Sequence, residues 1–266
     1  MSFENWSMTV PETLELDGVT EVKAILVRGR LDVITTNDAV TTVEVSEVSG
    51  QPLNVTFADG VLKIEHFDSG NWLQKIVNFN SNARAVVSVA VPAGIAVTAA
   101  TVSGDGMVSG STSTTNLKTV TGSLLADATE GSLTAETVSG EIIVRDHSGP
   151  FNAKSVSGEI TASGHLDAIR ANTVSGNLSF DLYGAPADFS AKSVSGDVTM
   201  RLPDGVGVDL SAKSTSGTIL LDDERYTGTG QSVRTASGPA SPRVSVRTTS
   251  VSGNVSIVHA AAEEEL

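Results

Sequence analysis

Thr137-Val138-Ser139-Gly140-Glu141 decides the fold, because seven close copies of it recur along the chain. They are Thr101-Val102-Ser103-Gly104-Asp105, Thr119-Val120-Thr121-Gly122-Ser123, Ser155-Val156-Ser157-Gly158-Glu159, Thr173-Val174-Ser175-Gly176-Asn177, Ser193-Val194-Ser195-Gly196-Asp197, Ser214-Thr215-Ser216-Gly217-Thr218 and Ser250-Val251-Ser252-Gly253-Asn254. The glycines step by 18, 18, 18, 18, 20, 21 and 36, the last being twice 18. A fixed period of about 20 residues marks a solenoid, in which each repeat buries its apolar face against its neighbours. The expected fold is all-β: a single-stranded β-helix of about eight to nine coils, with a right-handed coil favoured.

Counting from each glycine assigns the faces. Seven residues before it stand Val97, Thr115, Leu133, Phe151, Ile169, Phe189 and Leu210, and five before it Ala99, Leu117, Ala135, Ala153, Ala171, Ala191 and Ala212; both columns are expected inside. Four before it, Lys118, Glu136, Lys154, Asn172, Lys192 and Lys213 must face water. Two and four after it, pairs such as Ile142/Val144 and Leu178/Phe180 return to period two, so each coil is two short strands meeting at a Ser-Gly corner where the glycine is free to take a positive φ. The insertions of two and three residues align if placed in Tyr183–Asp188 and Pro203–Asp209, at the second corner.

Seventeen basic residues against 31 acidic give a net charge of −14, which disfavours nucleic acid and anionic lipid as partners. There is no cysteine, so disulfides and thiolate metal sites are excluded. Met1–Gly18 has no basic segment followed by an apolar one, which leads to a cytoplasmic expectation. The apolar run Ala85–Val102 alternates and contains Ser88, Pro92, Gly94 and Thr98, so no membrane insertion is expected.

Residues 1–91 read as a β cap with a degenerate first coil, 92–258 as the repeats, and 259–266 as a frayed acidic tail. In the cap, Val22, Ala24, Val27, Leu31 and Val33 lie at the repeat's offsets from Gly29, and Asp59-Gly60 signals a hairpin. Asp68–Ala83 reads either as a short amphipathic helix carrying Trp72, Ile76 and Phe79 or as a loop over the open end of the first coil. Asp222–Val244 reads as a coil with a long loop.

Three columns could carry chemistry. The Ser/Thr residues three and one before each glycine would form a flat hydroxyl array if both faced out; bonding to local backbone is the preferred reading. The valines two before each glycine (Val102, Val120, Val138, Val156, Val174 and Val194) would form an apolar stripe if alternation held, but inward placement is preferred because burial stabilises each by roughly 1.5–3 kcal/mol. The residues after the glycine (Asp105, Glu141, Glu159, Asn177 and Asp197) could bridge Ca²⁺, with a solvated corner preferred. No cofactor and no metal ligand set is implied. Of the four histidines, His147 and His165 are one coil apart and could stack, while Asp127, Asp146 and Asp167 are the residual candidates for a polysaccharide-cleaving site.

The T/S-V-S-G-[DEN]-[ILV] phrase at 18-residue spacing, behind a β segment with the Gly29 rung, resembles the bacterial putative-adhesin family of β-strand-repeat proteins, domain of unknown function 4097. The resemblance spans roughly Val10–Val258 and implies a β-helix, with adhesion at the cell surface or an envelope-stress role, and no catalytic residues. The expected function is a non-enzymatic binding or scaffold module for a protein or glycan. Its surface would lie in second-corner loops, at Tyr183, Pro186, Asp188, Pro203, Asp204, Asp209, Arg225 and Tyr226. The alternative is a homo-oligomer stacking through its solenoid ends.

Overall fold

The computed structural model describes residues 3–66 and 82–260, and every regular element among them is a β-strand. The amphipathic segment expected at Asp68–Ala83 falls almost wholly outside the described residues, as does the tail beyond Ala260. The chain divides into two compact units, Met1–Gly131 and Ser132–Leu266.

In the first unit, β3 (Glu21–Leu26) and β4 (Gly29–Thr36) form one rung, and β9 (Ala96–Thr101) and β10 (Asp105–Ser109) stack on it in parallel, with Val22 beside Val97, Ala24 beside Ala99 and Val33 beside Val108. The offsets counted from Gly29 therefore do mark a rung, and all five of its apolar residues are buried. That rung is not the end of the stack. β7 (Val61–Glu65) and β8 (Arg84–Pro92) pack in parallel on its other face, so a coil early in sequence lies between two later ones.

The chain between closes the unit with antiparallel strands. β5 (Thr41–Ser49) pairs with β8, β6 (Leu53–Ala58) with β7, β1 (Phe3–Met8) with β6 and β2 (Glu12–Leu16) with β5. Ala58 faces Val61 across a two-residue turn in which Asp59 and Gly60 have φ of 50° and 78°, the left-handed pair a tight hairpin needs. On the repeat side, β11 (Thr115–Thr119) stacks on β9, and β12 (Ser123–Asp127) on β10.

The second unit repeats the device. β13 (Leu133–Thr137), β14 (Glu141–Ser155), β15 (Ile160–Thr173), β16 (Leu178–Leu182), β17 (Asp188–Ser193) and β18 (Val198–Leu202) follow sequence order. Here Phe189 lies beside Ile169, two positions later than the period would place its partner, so the inserted pair falls before Asp188. The order then breaks. β19 (Gly207–Ser214) and β20 (Ile219–Leu221) stand one place further out, β21 (Glu224–Tyr226) and β22 (Gln231–Ser237) run antiparallel to them, and β23 (Arg243–Ser250) and β24 (Val255–His259) return to fill the gap. What reads as a coil with a long loop at Asp222–Val244 is an antiparallel closure followed by insertion of the last coil between its predecessors. His259, assigned to a frayed tail, ends β24 with its ring against Asp222 and the Val206 carbonyl.

The inward columns are buried throughout, and in the second unit the core centres on Phe180, whose ring meets Phe151 and Phe189 edge-on at 6.2 and 5.3 Å. The Ser-Gly corner needs glycine for closeness and not for handedness. Of the corner glycines only Gly29 has a positive φ; a Cβ on Gly196 would stand 2.0 Å from the Gly176 carbonyl oxygen, and one on Gly253 2.0 Å from that of Gly196. No helix among the described residues is long and apolar enough to cross a membrane.

Candidate functional site

The corner settles which side chains reach solvent. Three residues before the glycine the hydroxyl turns inward and is buried, from Thr101 to Ser250. Thr137 Oγ1 donates to the Gly140 carbonyl at 2.9 Å and Thr173 Oγ1 to that of Gly176 at 2.8 Å, with the same bond at Thr119, Ser155, Ser193, Ser214 and Ser250. One residue before the glycine, Ser157, Ser175 and Ser195 donate to the valine carbonyl of the preceding rung. Both columns therefore serve the backbone, and no flat hydroxyl array exists among the described residues.

Because the hydroxyl holds the inward place, alternation sends the valine out, contrary to the burial expected for it. Val156, Val174, Val194 and Val251 are 47%, 48%, 47% and 47% exposed, while Val102, Val120 and Val138 are half-buried. The energies explain the outcome. Turning valine in would displace the hydroxyl and leave a corner carbonyl unpaired at about 1–3 kcal/mol, which cancels the gain from burying the side chain.

On the second unit the four exposed valines occupy consecutive rungs, since β15 pairs with β14 and β17, and β17 with β23. Beside them a groove of about 310 Å³ runs across the strands, lined by Val174, Val194, Lys154, Asn172, Lys192 and Thr249, with Ser155, Thr173 and Ser193 on the buried side.

The second-corner residues do not form one surface. Tyr183 is exposed and sets its ring edge-on to His165 at 5.8 Å, but Pro186 is buried. Asp188 is paired with Arg247, and Asp209 with Arg243 at 2.5 Å; Pro203 is half-buried, and exposed Asp204 accepts the Gly205 N–H in its own turn. Arg225 and Tyr226 are not loop residues. They lie on β21, where Tyr226 faces Ile219 near the Ser-Gly corner, in a separate open groove with Gln231 and Val233. The Tyr226 hydroxyl donates to Glu224, which holds the phenol above its ordinary value.

The remaining candidates separate likewise. His147 is buried 6.3 Å from the Phe151 ring, whereas His165, shifted by a bulge to face Ser148, is exposed; the two do not stack. Asp146 and Asp167 are exposed and Asp127 half-buried. The column after the glycine works as a ladder of caps: Asp105 Oδ1 accepts the Ser123 N–H, Asn177 Oδ1 that of Asp197, and Asn254 Oδ1 that of Thr218. No group of three or more His, Cys, Asp or Glu that could hold a metal is found among the described residues.

The comparisons agree on the fold. A search of curated proteins found no match. Among the solved structures that match, three with the same overall fold cover nearly the whole of both chains. "Putative lipid binding protein" from Parabacteroides distasonis ATCC 8503 is 15% identical, with a TM-score of 0.55 and coverage of 96% of this chain and 98% of its own. A "putative adhesin" from the same organism is 14% identical, with a TM-score of 0.55 and coverage of 97% of both. Another from Parabacteroides merdae ATCC 43184 is 10% identical, with a TM-score of 0.53 and coverage of 95% and 98%. At these identities the likeness is one of fold alone. The family model described as Toastrack DUF4097 matches residues 28–258, which takes in every copy of the repeated phrase and the β4 half of the Gly29 rung. The chain belongs to the Toastrack DUF4097 family, an all-β, solenoid-like fold.

Proposed function

We propose that this protein is a non-enzymatic binding module that takes its partner on the outward face carrying Val156, Val174, Val194 and Val251. The observation behind this reading is the exposure of those four valines on consecutive rungs. An ordered apolar stripe on a sheet face, bordered by polar side chains, is the usual signature of an interaction surface. The names of the structural neighbours, an adhesin and a lipid binding protein, belong to those proteins but suit a binding role. End-to-end stacking is less favoured, since in each unit the outermost parallel rung is covered by antiparallel strands.

The test compares retention of the purified protein on cell-envelope fractions and a glycan array for wild type, Val174→Asp/Val194→Asp, and Tyr183→Ala/Tyr226→Ala. The face variant should lose retention with its melting temperature unchanged, and the tyrosine variant should keep it. Retention lost only in the tyrosine variant would move the surface to the corner loops and β21.

A further inference from the structure

We infer that this face binds an extended anionic polysaccharide laid across the strands, with one carboxylate to each rung; the inference rests on the preceding reading that the face is the binding surface. Its basis is a pattern that exists only in the folded rung order. Across β14, β15, β17, β23, β19 and β22 the two outward columns behind the valine row hold Lys154, Arg170, Lys192, Arg247, Lys213 and Arg234, one cation on each strand. They alternate between the columns: Lys154 lies beside Asn172, Arg170 beside Ser190, Lys192 beside Thr249, Arg247 beside Ser211, and Arg234 beside Ser211 on the far side. In sequence order Lys192 and Lys213 would be neighbours and the stagger would fail. Insertion of β23 between them restores it.

In a chain with 31 acidic residues and a net charge of −14, neither of these columns carries an acidic residue on the six strands; the positions between the cations are Asn, Ser or Thr. Lys154 is paired with Glu136 at 2.8 Å and Arg247 with Asp188, while Arg170, Lys192, Lys213 and Arg234 make no ion pair among the described residues. Four of the six cations are therefore unneutralised, and a partner bearing negative charge complements them.

The spacing selects the kind of partner. Neighbouring strands are about 4.8 Å apart, which is also close to the advance of one pyranose along an extended glycan, so successive sugars meet successive cations. The valine row beside them offers apolar surface to the C–H faces of the rings. A fluid bilayer imposes no repeat and gains nothing from the stagger. Single-stranded nucleic acid is held by a basic groove together with aromatic side chains on which its bases stack, and the outward positions of this face carry no aromatic residue.

The experiment is calorimetric titration of the full chain with polygalacturonate, its methyl ester, phosphatidylglycerol–phosphatidylcholine vesicles and oligothymidine, for wild type, Lys192→Glu/Lys213→Glu and Lys192→Gln/Lys213→Gln, with circular dichroism to check folding. Polygalacturonate should bind, weaken with salt, and bind roughly tenfold or more weakly to each double variant, while the ester should not bind. Absence of polygalacturonate binding, equal binding of the ester, or tighter binding of vesicles or oligothymidine would overturn the inference. The Val174→Asp/Val194→Asp envelope assay separates the two failures: if it still shows loss, the face remains the surface and only the ligand class is wrong.

Discussion

Asp197 Oδ1 accepts the backbone N–H of Asn254 at 2.7 Å, although the two residues are far apart in sequence. The same oxygen receives the Asn254 side-chain amide at 3.1 Å, and Asn254 in turn caps Thr218. These bonds pin the last coil between two earlier ones at the corner where the polypeptide could otherwise slip by a rung.

Asp197→Ala removes that acceptor, and Asp197→Asn keeps one. The alanine variant should lose about 1 kcal/mol of unfolding free energy and expose the Asn254 amide to faster hydrogen exchange, with the asparagine variant close to wild type. Equal exchange at Asn254 in all three proteins would show that the cap does not hold the coil.

Gly196→Ala places a methyl 2.0 Å from the Gly176 carbonyl oxygen and 3.0 Å from the Ser175 carbonyl carbon, backbone atoms of a stacked rung that cannot step aside. The expected cost in urea denaturation is about 3 kcal/mol. At Gly94 an added Cβ meets nothing within 4 Å, and Gly94→Ala should stay within about 0.5 kcal/mol of wild type.

His66 is buried, accepts the Val27 N–H on Nδ1 at 3.3 Å, and its Nε2 has no hydrogen-bond partner among the described residues. Burial pushes its pKa down from 6.5 to about 4. Between those values the unfolded chain binds a proton that the folded one refuses. The contribution, on the order of 3 kcal/mol, is therefore complete above pH 6.5 and is lost as the pH falls toward 4. Urea midpoints of wild type should fall more steeply over this window than those of His66→Gln. Parallel curves would rule out His66 as the acid-sensitive group.

The rungs themselves are legible in the sequence because burial repeats at fixed offsets: Val97, Phe151 and Phe189 all lie inside, and even the Gly29 rung can be found this way. What the offsets miss has physical causes. Rung order is hidden because the next repeat in sequence and one much further along the chain present the same column to a parallel neighbour, so nothing local tells Ser193 that it lies beside Ser250. The valine row is misjudged because side-chain hydrophobicity outweighs a carbonyl that the pattern does not show, the one bonded by Thr173. The cations are visible as a solvent column, but their stagger depends on the insertion of β23 and is invisible without it.

Methyl NOE spectroscopy on the full-length protein tests that insertion, and with it the binding face, most directly. Val251 should show cross-peaks to both Val194 and Thr215, its neighbours in register just beyond β17 and β19, with none between Val194 and Thr215, which stand two rungs or about 9.6 Å apart. A direct Val194–Thr215 cross-peak, with Val251 reaching only one of them, would put the last coil outside the stack and dissolve the staggered row of cations.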